Sequence, residues 1–175
     1  EKRSRRRARS VRGQRCMTGA GRISKSMQEH DNTSRPAVPE DLPFLRRCFL
    51  AAMADSITAC WGRCDEAQEL AKFDGQLAIQ GTTVLVRDGS DVGFVMLTEN
   101  QHSIQIHTVC ISPDFQGHGV GTEAIQAIVD RADRAGCNLI LSVLKSNGRA
   151  EALYQRLGFS VVADSVHHRH LRHTG

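Results

Sequence analysis

One stretch near the middle of the chain constrains the fold more than any other. Ile104 to Ile111 (IQIHTVCI) reads as a strand by its β-branched content. Ser112-Pro113-Asp114-Phe115-Gln116 turns the chain, Gly117-His118-Gly119-Val120-Gly121 follows, and a helix begins. In that helix Val120, Ala124, Ile128 and Ala132 form a stripe at i,i+4 spacing, widened by Ile125 and Val129. Glu123, Gln126, Asp130 and Asp133 take the opposite face, and Gly136 ends the helix. A strand running through glycines into a helix delivers unpaired N–H groups and a positive dipole end to one spot, where glycine lets the backbone approach a ligand. That spot suits a phosphate or pyrophosphate; the alternative is a glycine turn with no ligand. A Walker loop is excluded because no lysine precedes Thr122, and the dinucleotide fingerprint because the glycines stand at 117, 119 and 121. What fits is Gln-x-x-Gly-x-Gly, here Gln116, Gly119 and Gly121.

A second signature lies downstream. Asn147 opens a helix that continues as Ala150-Glu151-Ala152-Leu153-Tyr154, and Leu157-Gly158-Phe159 closes it. With both signatures in order, the chain over about residues 34–171 resembles the GCN5-related N-acetyltransferases (the GNAT superfamily), as a bacterial-type small-substrate member or one of no characterised subgroup.

The resemblance implies acetyl-CoA as co-substrate, with no metal. It gives the pyrophosphate to the loop amides of Gln116, Gly117, His118, Gly119, Val120, Gly121 and Thr122. It gives the pantetheine arm and thioester carbonyl to the backbone of Val109, Cys110 and Ile111, and a further cofactor contact to Asn147. Tyr154 is then the acid that protonates the leaving thiolate, and His107 stands where relatives place the group that takes the proton of the amine. A hydrogen-bonded structural role for His107 is the competing reading. Trp61 and Asp65 resemble a W-x-x-x-D segment of some bacterial members, and a C-terminal histidine there matches His168; these three are candidates for seating the acceptor. An aromatic ring and a carboxylate suit a cationic amine. The implied reaction is direct transfer of acetyl to a primary amine, a small molecule or a peptide, in a ternary complex. The alternative is a non-catalytic acyl-CoA-binding sensor module of the same fold. Oligomeric state stays open, a homodimer included.

The remaining elements follow from local patterns. A short strand spans residues 35–38, and Pro39-Glu40-Asp41 opens a helix to about Ala54. A second helix runs from about Asp65, its cap, to Phe73. Thr82 to Arg87 and Val92 to Thr98 are strands joined at Asp88-Gly89. After the central strand and helix come strand Leu139 to Leu144, helix Asn147 to Arg156 and strand Phe159 to Val162. The last strand falls around His167 to Arg172 in the tract HHRHLRHTG, read as a solvated edge, with a metal-binding tract or a tag-like accident as alternatives. The fold class is α/β: a single-domain mixed sheet, antiparallel then parallel, flanked by helices, and the resemblance implies that it is of the acyl-CoA N-acyltransferase type.

Charge divides the chain of 175 residues. Residues 1–35 hold 11 of the 23 Lys and Arg against 3 Asp and Glu, a balance of +8, while residues 36–175 carry −4. The body is therefore not a polyanion binder by net charge, and a phosphate site on it must rest on local geometry. Residues 1–33 read as a basic disordered tail and residues 34–175 as the acetyltransferase domain. An arginine run binds nucleic acid or anionic lipid without specificity; the stronger reading of residues 1–26 is a solvated or non-native extension ahead of Met27. No apolar stretch is long enough to span a membrane, and no secretory leader is evident. The six cysteines, two of them as Cys60 and Cys64 without a C-x-x-C pair, read as reduced cytoplasmic thiols.

Overall fold

The structure, a computed structural model, describes residues 32–173. The tail reading of residues 1–33 lies outside them save for its last two residues, which already belong to the first strand. In chain order the elements are β1 (Asn32–Pro36), α1 (Leu42–Trp61), α2 (Glu66–Gln76), β2 (Thr82–Arg87), β3 (Ser90–Glu99), β4 (Ser103–Ile111), α3 (Val120–Ala135), β5 (Asn138–Leu144), α4 (Gly148–Arg156), β6 (Ser160–Asp164) and β7 (His168–His173). Local chemistry accounts for their ends. Asp65 caps α2 by accepting from the Gln68 N–H at 3.1 Å. Asp88 (φ 51°) and Gly89 (φ 76°) form a turn whose positive φ values match the twist of the β2–β3 hairpin. Helix α1 runs a full two turns beyond the expected Ala54, because Ile57 remains buried, and stops at Gly62 in the left-handed region.

The strands form one seven-stranded sheet in the order β1-β2-β3-β4-β5-β7-β6. β1 to β4 are antiparallel neighbours, and β4 pairs with β5 in parallel. β7 then inserts between β5 and β6, antiparallel to both. This corrects the expected solvated edge at the C-terminus: β7 is an interior strand, with Leu171 in the core and its polar residues held by neighbours. Arg169 pairs with Glu151, and His170 hydrogen-bonds Ser142 at 2.8 Å. The sheet is covered on both faces. Leu45 and Cys48 of α1 and Phe73 of α2 pack with Val84, Phe94 and Cys110 on one side. α3 and α4 bury Ile125, Val129 and Tyr154 with Ile106 and Leu141 on the other.

Two irregularities of β4 shape the site. The register against β3 slips between Met96 and Leu97, so that His107 is an extra residue, a β-bulge. The expected alternation, with Ile104, Ile106, Thr108 and Cys110 on one side, therefore fails. Ile104 and Ile106 share a face with Val109 and Ile111, while Cys110 packs on the opposite one. Secondly, β4 and β5 pair only from Ser103–Asn138 to Ile106–Leu141. Beyond that point the two strands part, and a cleft opens between them.

Close approach of β3 holds β4 in this bent path. A Cβ at Gly93 would stand 2.5 Å from the Cys110 carbonyl oxygen and 2.9 Å from the Ile111 side chain. Gly93→Ala is expected to destabilise the fold by about 1–3 kcal/mol, as overpacking against backbone does. Urea unfolding reads this, and an unchanged midpoint would contradict the close packing.

Candidate active site

The cleft between β4 and β5 is an open cavity of about 530 Å³. Its floor is Val109 and Ile111 from β4, its far wall Asn147 and Tyr154 at α4, and one rim the glycine loop. Ala52, Met53, Asp55 and Ser56 of α1 close it from above. Of the residues expected to hold the cofactor, Gln116, Gly117, Gly119, Gly121 and Thr122 line it as well. Gly117 (φ 82°) and Gly119 (φ 88°) have left-handed backbones, and Gly119 is the residue before α3, so the first-turn N–H groups of α3 face the cavity mouth. Gln116 Nε2 donates to the Ile111 carbonyl at 3.0 Å, fastening the loop to the end of β4. Asn147 caps α4 by accepting from the Ala150 N–H at 3.1 Å.

Three of the expected cofactor residues do not line the cavity. Cys110 is fully buried on the opposite face, where burial pushes its thiol pKa well up and keeps it protonated. Val120 packs into the core, and the His118 ring lies at the exposed surface. Tyr154 is buried, 9% exposed, and burial lifts its hydroxyl pKa to about 12, with Cys110 adding to the shift. The acid expectation thus falls on a hydroxyl that keeps its proton at neutral pH.

His107 does not line the cavity. Its Nε2 lies 2.8 Å from Thr98 Oγ1, and it stands at the bulge where β4 begins to leave β5. Thr98 pairs with Gln105, so His107 belongs to the face opposite Ile106 and Tyr154. The acceptor candidates lie on the same side as α1. The Trp61 ring packs at a tilt against His167 at 5.3 Å and His168 at 6.4 Å between ring centres, so Trp61 and His168 do meet. Asp65 borders a smaller hollow of about 290 Å³ with Trp61, but its carboxylate serves the cap of α2. None of the three lines the main cavity. Burial, with His170 and His167 nearby, holds the His168 pKa below the ordinary imidazole range, so it is neutral at pH 7.

Sequence reasoning passed over Arg149 and Arg156, which line the cavity, and one arginine that supports the glycine loop from outside it. Arg87 ends β2, is 8% exposed, and donates from Nη1 to the His118 carbonyl at 3.0 Å. It ties the β2–β3 hairpin to the glycine loop and leaves a buried cation behind it. Before an Asp-Gly turn an arginine looks like a solvated hairpin end, so no local signal marks it. Arg87→Met is expected to weaken CoA binding by about tenfold, the order of one charge-assisted hydrogen bond. Calorimetric titration with CoA measures this; wild-type affinity would remove Arg87 from the site.

A mixed sheet opened at its centre, with a glycine loop and helix N-terminus at one end of the opening and a tyrosine in its wall, defines an acetyltransferase fold. The chain belongs to the GNAT acetyltransferase family, whose model, described as the Acetyltransferase (GNAT) family, matches residues 48–159. It is 29% identical over 138 residues to the L-methionine sulfoximine/L-methionine sulfone acetyltransferase of Pseudomonas paraeruginosa, covering 73% of this chain and 79% of that one. Its fold is similar to that of the PaiA N-acetyltransferase of Thermoplasma acidophilum in complex with coenzyme A, with a TM-score of 0.66 and 14% identity over 82% of this chain and 99% of that one. It is also similar in fold to the ribosomal-protein-S18-alanine N-acetyltransferase of Escherichia coli, with a TM-score of 0.61 and 21% identity over 82% and 93% of the two chains. Among the described residues no helix is long and apolar enough to cross a membrane, and no group of three or more His, Cys, Asp or Glu is arranged to hold a metal ion.

Proposed function

We propose that the protein transfers the acetyl group of acetyl-CoA to the primary amine of a small molecule by direct attack in a ternary complex. The observation that carries this reading is the cleft itself, with the glycine loop at its rim and Tyr154 in its wall. The residues fit acetyl-CoA: Gly117, Gly119 and Gly121 leave the rim of the cavity free of side chains where a pyrophosphate would sit, and Asn147 lines the same cavity as Tyr154. Bound there, acetyl-CoA supplies an activated acetyl thioester. The backbone of Val109 to Ile111, unpaired with β5, steadies the carbonyl oxygen as it gains charge. Tyr154 offers its proton to the departing sulfur. On the other face of the opening, His107 takes the proton of the attacking ammonium, and Trp61 and His168 border the acceptor's approach. The relative that spans most of the chain is named for small-molecule acceptors, which favours these over a peptide.

Thermal unfolding with acetyl-CoA, followed by thiol release across a panel of small amines and peptides, tests this. A raised midpoint is expected, because a ligand that binds only the folded state stabilises it, together with thiol release for at least one amine. No shift would overturn the cofactor reading. A shift with no turnover across the panel would favour the non-catalytic binding module.

A further inference from the structure

Helix α4 carries Tyr154 and is capped by Asn147, yet it is only nine residues long. A helix that short is marginal by itself, so packing sets where it lies. Two of its residues are buried, Glu151 (7% exposed) and Tyr154. Three positions apart, they share one face. One anchor of the helix is thus the tyrosine of the cleft, and the other is a carboxylate. Glu151 Oε1 pairs with Arg169 Nη1 of β7 and accepts from Gln155 Nε2 at 3.1 Å. Arg169 also reaches Asp164 of β6, with Nε 3.6 Å from Oδ1, and Lys145 Nζ lies 3.4 Å from the same oxygen. Those outer contacts are exposed and weak, so the Glu151–Arg169 pair is the link that holds. Neither of its members lines the cleft.

A buried carboxylate is a costly way to fill a contact between helix and sheet. A pair of apolar side chains of similar volume would hold α4 to β7 at least as firmly. What apolar contact lacks is direction. It lets a short helix turn or slide, whereas a charge-assisted hydrogen bond fixes one geometry. We propose that Glu151 and Arg169 are positioning residues: their pair sets the rotation of α4 and so aims the Tyr154 hydroxyl into the cleft, an inference that rests on the acid role proposed above for Tyr154. The pair also joins the two sides of the reaction. Arg169 follows His168 directly on β7, and neighbours on a strand point to opposite faces. His168 meets Trp61 on the acceptor side, while Arg169 meets α4 on the other. The strand that borders the acceptor's approach therefore also places the helix that carries the acid.

Removing Arg169 alone would strand a buried charge, so the test removes both partners. In the full chain, Glu151→Met combined with Arg169→Met replaces the ion pair by an apolar contact. The urea midpoint should match or exceed the wild type, and the KM for acetyl-CoA should stay near its wild-type value. The kcat should nevertheless fall about tenfold, because a small misplacement of a reacting group is enough to slow the chemistry. A kcat at the wild-type level overturns the proposal, since the pair then only holds the fold. Tyr154→Phe, made in both backgrounds, gives a second readout. If the pair acts through Tyr154, the tenfold difference disappears once the hydroxyl is gone. Losses that multiply instead overturn the proposal, whatever the midpoint shows, and leave the acid reading intact. An unchanged kcat for Tyr154→Phe in the wild-type background overturns the acid reading and this proposal together.

Discussion

Tyr154→Phe is expected to lower kcat by about a hundredfold while leaving the KM for acetyl-CoA near its wild-type value. A positioned acid contributes about 10²–10⁴-fold, and the lower end applies here for a stated reason. Burial pushes the Tyr154 pKa up to about 12, well above that of an ordinary thiol near 8.5, so full proton transfer to a thiolate runs uphill. In the proposed mechanism the hydroxyl then acts chiefly as a hydrogen-bond donor to the sulfur as charge builds, and passes the proton on late. The same shift sets the pH dependence. The neutral hydroxyl is the active form, so its loss lies at about pH 12 and no Tyr154 limb appears in the rate profile between pH 7 and 10. Phenylalanine keeps the packing against Phe159, whose ring centre is 5.7 Å away, so the fold should survive. Steady-state kinetics with an active amine decides the matter, and an unchanged kcat removes Tyr154 from the chemistry.

The parts of this site legible in the sequence are those where local rules agree. The change from strand alternation to helical spacing across Gln116–Thr122 fixes a loop between β4 and α3, and the Asn147 to Phe159 signature fixes α4. The hairpin at Asp88-Gly89 and the span Thr82–Arg87 are equally local, and both stand as expected. What stayed hidden depends on partners far along the chain. The bulge at His107 leaves no trace in IQIHTVCI, because alternation reads smoothly through an extra residue until the pairing with β3 is known. β7 looked like a solvated tract because Leu171 is its one aliphatic residue. It is interior because Ser142 and Glu151 receive His170 and Arg169. Arg87 acquires its role only when the loop, some thirty residues on, folds against it.

Substitution at Gly121 is expected to move stability and binding in opposite directions, which a purely structural glycine would not do. Gly121 lies in the first turn of α3 with an ordinary helical backbone, and an added Cβ would meet only the Ile111 side chain at 3.6 Å, an ordinary contact. Alanine is the better helix former, so Gly121→Ala should raise stability by about 0.5 kcal/mol. Gly121 also lines the cavity, as does the Ile111 side chain that the methyl would meet, so the methyl takes up room beside the amides of the α3 N-terminus. Keeping a pyrophosphate off those amides by even one lost interaction of about 1.4 kcal/mol raises the KM for acetyl-CoA tenfold. Gly119→Ala serves as the contrast. Its φ of 88° costs a side chain about 1–2 kcal/mol, and its Cβ would stand 3.2 Å from Glu123 Oε1, so stability and binding should fall together. Thermal unfolding without ligand and titration with CoA separate the two cases. A Gly121→Ala protein that is more stable and binds CoA as tightly as the wild type would place the phosphates away from this loop.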